Sequence, residues 1–154
     1  MATPRAAATD PLTGIGNRAA LHRRIDGANV LVTLAIIDLD DFKPTNDVHG
    51  HDTGDAVLQI VAQRLVGSVR DGDLVARFGG DEFAVVFAEA TSTDDLALRA
   101  QRLIDAIKVP DGPTVTIGAS IGVATELPDQ VLKAADAELY RAKQAKHPAT
   151  PTTH

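Results

Sequence analysis

The sequence predicts an α+β domain in which a central, mostly antiparallel sheet is flanked by helices. Three observations predict it. Val30 to Leu39 is β-branched and almost continuously apolar, as a buried central strand requires. Two short apolar runs, Leu74 to Phe78 and Glu82 to Phe87, flank a glycine pair, the signature of a hairpin. Around them lie segments whose apolar residues recur every three or four positions, as in helices packed on a core.

Taken in order, Met1 to Thr9 is small, polar and proline-bearing and reads as a leader or linker. Arg18 to Ile25 follows as a helix that Asn17 can cap. After the Val30 to Leu39 strand, Asp55 to Val69 carries a helical stripe at Leu58, Val61, Ala62 and Leu65. The hairpin comes next, with positive φ expected at the two glycines of its turn. Thr93 to Ile107 is a second core-facing helix, and the strands Thr114 to Ile117 and Ser120 to Thr125 straddle Gly118. Asp129 to Lys146 is the closing helix, and Pro148 to His154 a tail. The order β-α-β-β-α-β plus a final helix implies a sheet backed by helices on one face. One domain, 10–147, accounts for the chain, with no repeat or internal linker.

Composition narrows the functions. There are 154 residues and no cysteine, which excludes disulfides, thiolate metal sites and cysteine nucleophiles. The formal net charge is -6 and no basic stripe is visible, against nucleic-acid binding. No apolar run is long enough to span a bilayer and the start lacks the apolar centre of a secretory signal, so a cytoplasmic domain without membrane contact is expected.

The chemistry concentrates in three places. Gly79 and Gly80 leave backbone N–H groups open to phosphate oxygens, and Asp81 and Glu82 follow at once on opposite faces of the strand. Alone, that segment is equally an acidic hairpin tip. Asp38, beside Ile36, Ile37 and Leu39, is costly to desolvate unless paired or metal-bound; otherwise it reaches water at the strand end. If the hairpin neighbours that strand, Asp38 and Asp81 meet, and two carboxylates with a backbone carbonyl suit Mg²⁺ or Mn²⁺. The third place is the run from Asp38 to Asp55. Lys43 offers a movable cation for phosphate. Asn46 and Asp55 stand at the ends of a loop before a helix. They are either a turn residue and an N-cap or readers of guanine, whose N1–H and amino group suit a carboxylate.

Five ordered segments carry a family resemblance: Asp10 to Arg18 (DPLTGIGNR), Asp38 to Asp55, Arg77 to Phe83 (RFGGDEF), Ser120 to Ala124, and Ala135 to Lys143. Together they resemble the GGDEF family of diguanylate cyclases. The resemblance implies a palm-like, ferredoxin-like sheet similar to class III nucleotide cyclases, and condensation of two GTP into cyclic di-GMP by a homodimer. It implies that Asp38, the Leu39 carbonyl and Asp81 hold two divalent ions, with Glu82 helping to deprotonate the attacking hydroxyl. Gly79, Gly80, Lys43 and Lys143 would contact phosphate, and Asn46 and Asp55 guanine. Arg70 and Asp73, an Arg-x-x-Asp before the hairpin, would form a product-inhibition site, supported by Arg99 or Arg102. Their other reading is a surface pair in a turn. The resemblance also implies an upstream sensory or dimerisation domain, and a lone domain that is largely monomeric and slow.

One departure stands out. The family usually continues two residues after the final lysine with Gly-Arg-Asn, whereas here Lys146-His147-Pro148 follows. His147 takes the place of a phosphate-contacting arginine, for which Lys146 is a candidate substitute. The alternatives are a GGDEF-like module that binds GTP or cyclic di-GMP without catalysis, and a related cyclase accepting ATP.

Overall fold

The computed structural model describes residues 8–89, 93–104, 106–110 and 112–146. His147 and the tail lie outside the described residues, as does the leader apart from Ala8 and Thr9. Eleven elements follow one another: α1 (Arg18–Asp26), β1 (Val32–Asp40), α2 (Phe42–His49), α3 (His51–Ser68), β2 (Leu74–Arg77), β3 (Glu82–Phe87), α4 (Thr93–Ile104), β4 (Ala106–Lys108), β5 (Thr114–Thr116), β6 (Gly118–Glu126) and α5 (Pro128–Lys146). The main sheet has the order β2-β3-β1-β6 with each neighbouring pair antiparallel.

Helices cover both faces of this sheet, not one. Ala35, Ile37 and Leu39 pack with Val57, Val61 and Leu65 of α3 and Ala100 and Ile104 of α4. Leu34 and Ile36 pack on the opposite side with Leu21 and Ile25 of α1 and Val131, Ala135 and Leu139 of α5. The uninterrupted apolar run of β1 has this physical reason, since a one-sided sheet would alternate with polar residues.

Several further boundaries differ from expectation. α2 occupies residues whose turn formers predict a loop, and α3 begins at His51 with Gly50 before it. Asn46 is therefore within a helix, and Asp55 lies in the second turn of α3 and is not its cap. α4 ends at Ile104, while Ile107 enters β4, which pairs with β5 in a separate two-stranded sheet. Gly118 opens β6. The connection from β2 to β3 runs through residues 78–81, and the positive-φ glycines are Gly14, Gly50 and Gly72, not Gly79 and Gly80. A wider loop closes without the left-handed residues that a two-residue turn demands.

Helix α5 reaches the sheet unusually closely where β6 carries Gly122. A Cβ there would lie 2.2 Å from the Leu139 nitrogen and 2.3 Å from the Ala135 carbonyl oxygen, both backbone atoms that cannot yield locally. Replacement of Gly122 by alanine should therefore destabilise the domain by roughly 3 kcal/mol through overpacking. Urea unfolding of Gly122→Ala measures this, and a midpoint equal to wild type would contradict the close helix–sheet seat.

Candidate active site

The end of β1 gathers the ionisable groups. Asp38 is 9% exposed and stands opposite Glu82 of β3 and Ser120 of β6 in the strand register. Asp81 is brought in by its own backbone: its carbonyl accepts from the Leu39 N–H at 3.1 Å, extending the ladder one residue past β3. From above, Lys143 of α5 forms an ion pair with Asp38. Asp41 adopts a left-handed conformation at φ 58, a turn that Asp tolerates better than most residues, and swings α2 across the strand end. The result is a cleft of about 410 Å³ lined among others by Asp38, Leu39, Lys43, Asp81 and Lys143. Five predicted site residues thus meet in one place.

The glycine connection is braced from below. Arg77 donates from Nε and Nη2 to the Gly80 carbonyl at 3.1 and 2.8 Å, and from Nη1 to Asp10 at 3.3 Å. Asp10 in turn accepts from the backbone and hydroxyl of Thr13. Gly16 exchanges backbone bonds with Val75 and Arg77 along the edge of β2. The N-terminal DPLTG segment is thereby fastened to the loop that presents Gly79, Gly80 and Asp81. Sequence reasoning gave Asp10 and Arg77 no individual task; the charge match between the two motifs was the available signal.

Electrostatics set the site apart. Burial, and next the neighbouring Asp38, hold the Asp81 carboxyl above the usual range. The same two causes, in the same order, raise Glu82. The Lys143 ammonium is raised chiefly by its hydrogen bond to Asp38. Crowded carboxyls with one ammonium among them suit a divalent cation. Among the described residues no three His, Cys, Asp or Glu side chains form a metal-binding group. The donors that the family resemblance names, Asp38, Asp81 and the Leu39 carbonyl, are hard oxygens that would leave positions for water and phosphate oxygens.

Other candidates lie apart from this cleft. Asn46 donates from Nδ2 to Nδ1 of His51 at 2.9 Å, and its Oδ1 is buried with no partner. A Cβ on Gly54 would lie 2.0 Å from that oxygen, so the glycine makes room for the amide. Asp55 is exposed. Gly79 and Gly80 are exposed, and a Cβ added to either would meet nothing closer than 3.9 Å. Lys146 is engaged with Asp40, itself a lining residue of the cleft, at 2.9 Å and with the Ala119 carbonyl, and does not line the cleft itself.

Arg70 and Asp73 line a second cleft of about 240 Å³ with Arg99. Arg102 is not among its lining residues. The carboxylate of Asp73 accepts from the Arg70 N–H at 2.9 Å and the Ala88 N–H at 2.7 Å, so it shapes the turn as well as facing the cleft.

Comparison with known proteins gives a consistent picture. The family model for "Diguanylate cyclase, GGDEF domain" matches residues 7–148. The chain is 42% identical over 156 residues to the diguanylate cyclase DgcP of Pseudomonas aeruginosa, covering 90% of this chain and 23% of DgcP. It is 38% identical over 150 residues to the probable diguanylate cyclase DgcC of Escherichia coli, covering 88% of this chain and 40% of DgcC. The chain thus spans less than half the length of either relative. Among solved structures, the GGDEF domain of DgcB from Caulobacter crescentus, in complex with c-di-GMP, superposes with a TM-score of 0.80 at 31% identity over 94% of both chains. The observed antiparallel sheet and its flanking helices are accordingly the palm-like nucleotide cyclase fold.

The raised carboxyls make a prediction about stability. A carboxyl whose folded pKa lies above its unfolded value favours folding while protonated, and that advantage disappears as pH rises through the folded value. Ionised Asp81 therefore weakens the metal-free fold at neutral pH. Asp81→Asn should melt higher than wild type at pH 7 in chelator, with the difference vanishing near pH 3. Thermal melts at the two pH values test this, and a mutant that melts lower at pH 7 would contradict the crowding.

Proposed function

Because the chain belongs to the GGDEF family of diguanylate cyclase domains, we propose that it condenses two GTP molecules into cyclic di-GMP with release of two pyrophosphates. The observation that carries this reading is the meeting of Asp38 and Asp81, remote in sequence, with Lys43 and Lys143 in one cleft. Asp38, the Leu39 carbonyl and Asp81 would hold Mg²⁺ or Mn²⁺. When bound, such ions supply Lewis acidity that acidifies a ribose 3′-hydroxyl and offsets charge on the α-phosphate and the leaving pyrophosphate.

The chain's own residues do the rest. Lys43 and Lys143 neutralise phosphate oxygens, and exposed Gly79 and Gly80 let the triphosphate approach the backbone. Glu82, which stands opposite Asp38 in the strand register and whose carboxyl is raised by burial and by Asp38, would take up the hydroxyl proton in its ionised form. Asp55 accepts from the N1–H and amino group of guanine, an arrangement that adenine, with an acceptor at N1, leaves unsatisfied. Asn46 joins it once its amide leaves His51.

One domain carries one such cleft, while the product contains two equivalent phosphodiester bonds. Two copies must therefore face each other so that each 3′-hydroxyl attacks the other α-phosphate, and positioning across that homodimer is the main source of rate. The short span of this chain relative to its relatives fits an output module paired by an upstream sensory or dimerisation domain. Arg70 and Asp73, joined by Arg99, would bind cyclic di-GMP at the second cleft and report product accumulation.

Incubation with GTP and Mg²⁺ should yield cyclic di-GMP, at a rate rising faster than linearly with protein concentration. Asp81→Ala should lower the yield by about 10²- to 10³-fold, as removal of a transition-state electrostatic partner does, while circular dichroism stays native. Wild-type turnover in that variant would overturn the assignment of Asp81. Wild-type protein that binds GTP but makes no product would favour the signalling-module alternative. Arg70→Ala should abolish calorimetric binding of cyclic di-GMP, and unchanged binding would remove the inhibitory reading.

A further inference from the structure

Two lysines of α5 meet two aspartates of β1 as parallel rungs. Lys143 and Lys146 are three apart and share a helix face; Asp38 and Asp40 are two apart and share a strand face. The helix advances about 4.5 Å between its lysines and the strand about 6.6 Å between its aspartates, a mismatch that lysine stems absorb. Lys143 pairs with Asp38, and Lys146 with Asp40 at 2.9 Å. The second rung is the better anchored. Asp40 also accepts from the Ser120 hydroxyl at 2.8 Å, and Lys146 also donates to the Ala119 carbonyl. The side chains of Asp40 and Lys146 are 14% and 34% exposed, so their pair is partly shielded from water. Gly118 contributes by omission, since a Cβ there would press on Asp40 Oδ2 at 3.3 Å.

The rungs differ in what a ligand does to them. Both partners of the first rung, Lys143 and Asp38, line the cleft; of the second, Asp40 reaches its lining but is also held by Ser120, and Lys146 stays outside. On the reading that the cleft takes GTP with a divalent ion, the first rung opens when each partner turns to the ligand. The last turn of α5 then loses a contact to the sheet at the moment Lys143 must face a phosphate. We propose that Lys146 is a positioning residue: its bond to Asp40 holds the end of α5 in register so that Lys143 stays at the cleft mouth after Asp38 has been given up to the ligand.

The test is calorimetric binding of 3′-deoxy-GTP with Mg²⁺, a nucleotide that lacks the attacking hydroxyl and cannot turn over. Lys146→Ala should weaken binding about five- to tenfold, or about 1 to 1.4 kcal/mol, and Lys146→Arg should restore it. In a Lys143→Ala background the Lys146→Ala substitution should cost nothing more, because it acts through Lys143. Unchanged affinity in Lys146→Ala, with or without a lower melting temperature, overturns the proposal. So does a full additional loss in the Lys143→Ala background, or a loss that arginine does not rescue. Wild-type protein that fails to bind 3′-deoxy-GTP would instead bring down the nucleotide reading on which the inference rests.

Discussion

A carboxyl at the buried end of the central strand is the constraint around which this molecule is arranged. Val32 to Leu39 are buried between two helical layers, and Asp38 interrupts them with a group that strongly prefers water. Lys143 relieves that cost in part. Asp81 and Glu82 then add further negative charge to the same corner, and both are pushed toward protonation. A site tuned for stability would not be built this way. A site that, as proposed, keeps attraction in reserve for a metal–nucleotide complex would be.

Several distant features make sense as supports for that corner. The bond from the Leu39 N–H to the Asp81 carbonyl keeps the glycine loop level with β1. Arg77 clamps the Gly80 carbonyl and passes the load to Asp10. Gly122 lets α5 descend onto β6, which brings Lys143 within reach of Asp38. Each replaces local freedom with a fixed position, the form in which a fold contributes to chemistry that depends mainly on placement.

Much of this was legible in the amino-acid sequence, and the illegible parts have physical reasons. The continuous apolar run of β1 and the hairpin around Gly79 gave the sheet, and Asp38 stood out because charge within such a run is costly. The same run also signalled burial on both faces, although the βαββαβ order suggested helices on one. Helix α2 escaped because Pro44, Asn46 and Asp47 are turn formers and none of its residues is buried, so no apolar stripe betrays it. Without that helix, Asn46 and Asp55 read as the ends of a loop. Ile107 continued the periodicity of α4 yet belongs to β4, where pairing with β5 overrides the helical pattern. The Lys146–Asp40 and Arg77–Asp10 contacts join residues 106 and 67 positions apart, a separation at which charge complementarity has no visible register before the fold is known.

The central claim is that Asp38 and Asp81 share a divalent cation beside Lys143. Electron paramagnetic resonance of Mn²⁺ titrated into the protein with 3′-deoxy-GTP addresses it most directly. The account predicts a bound-Mn²⁺ signal in the wild type that is lost in both Asp38→Asn and Asp81→Asn, each variant remaining folded. Retention of the wild-type signal in either variant would contradict it.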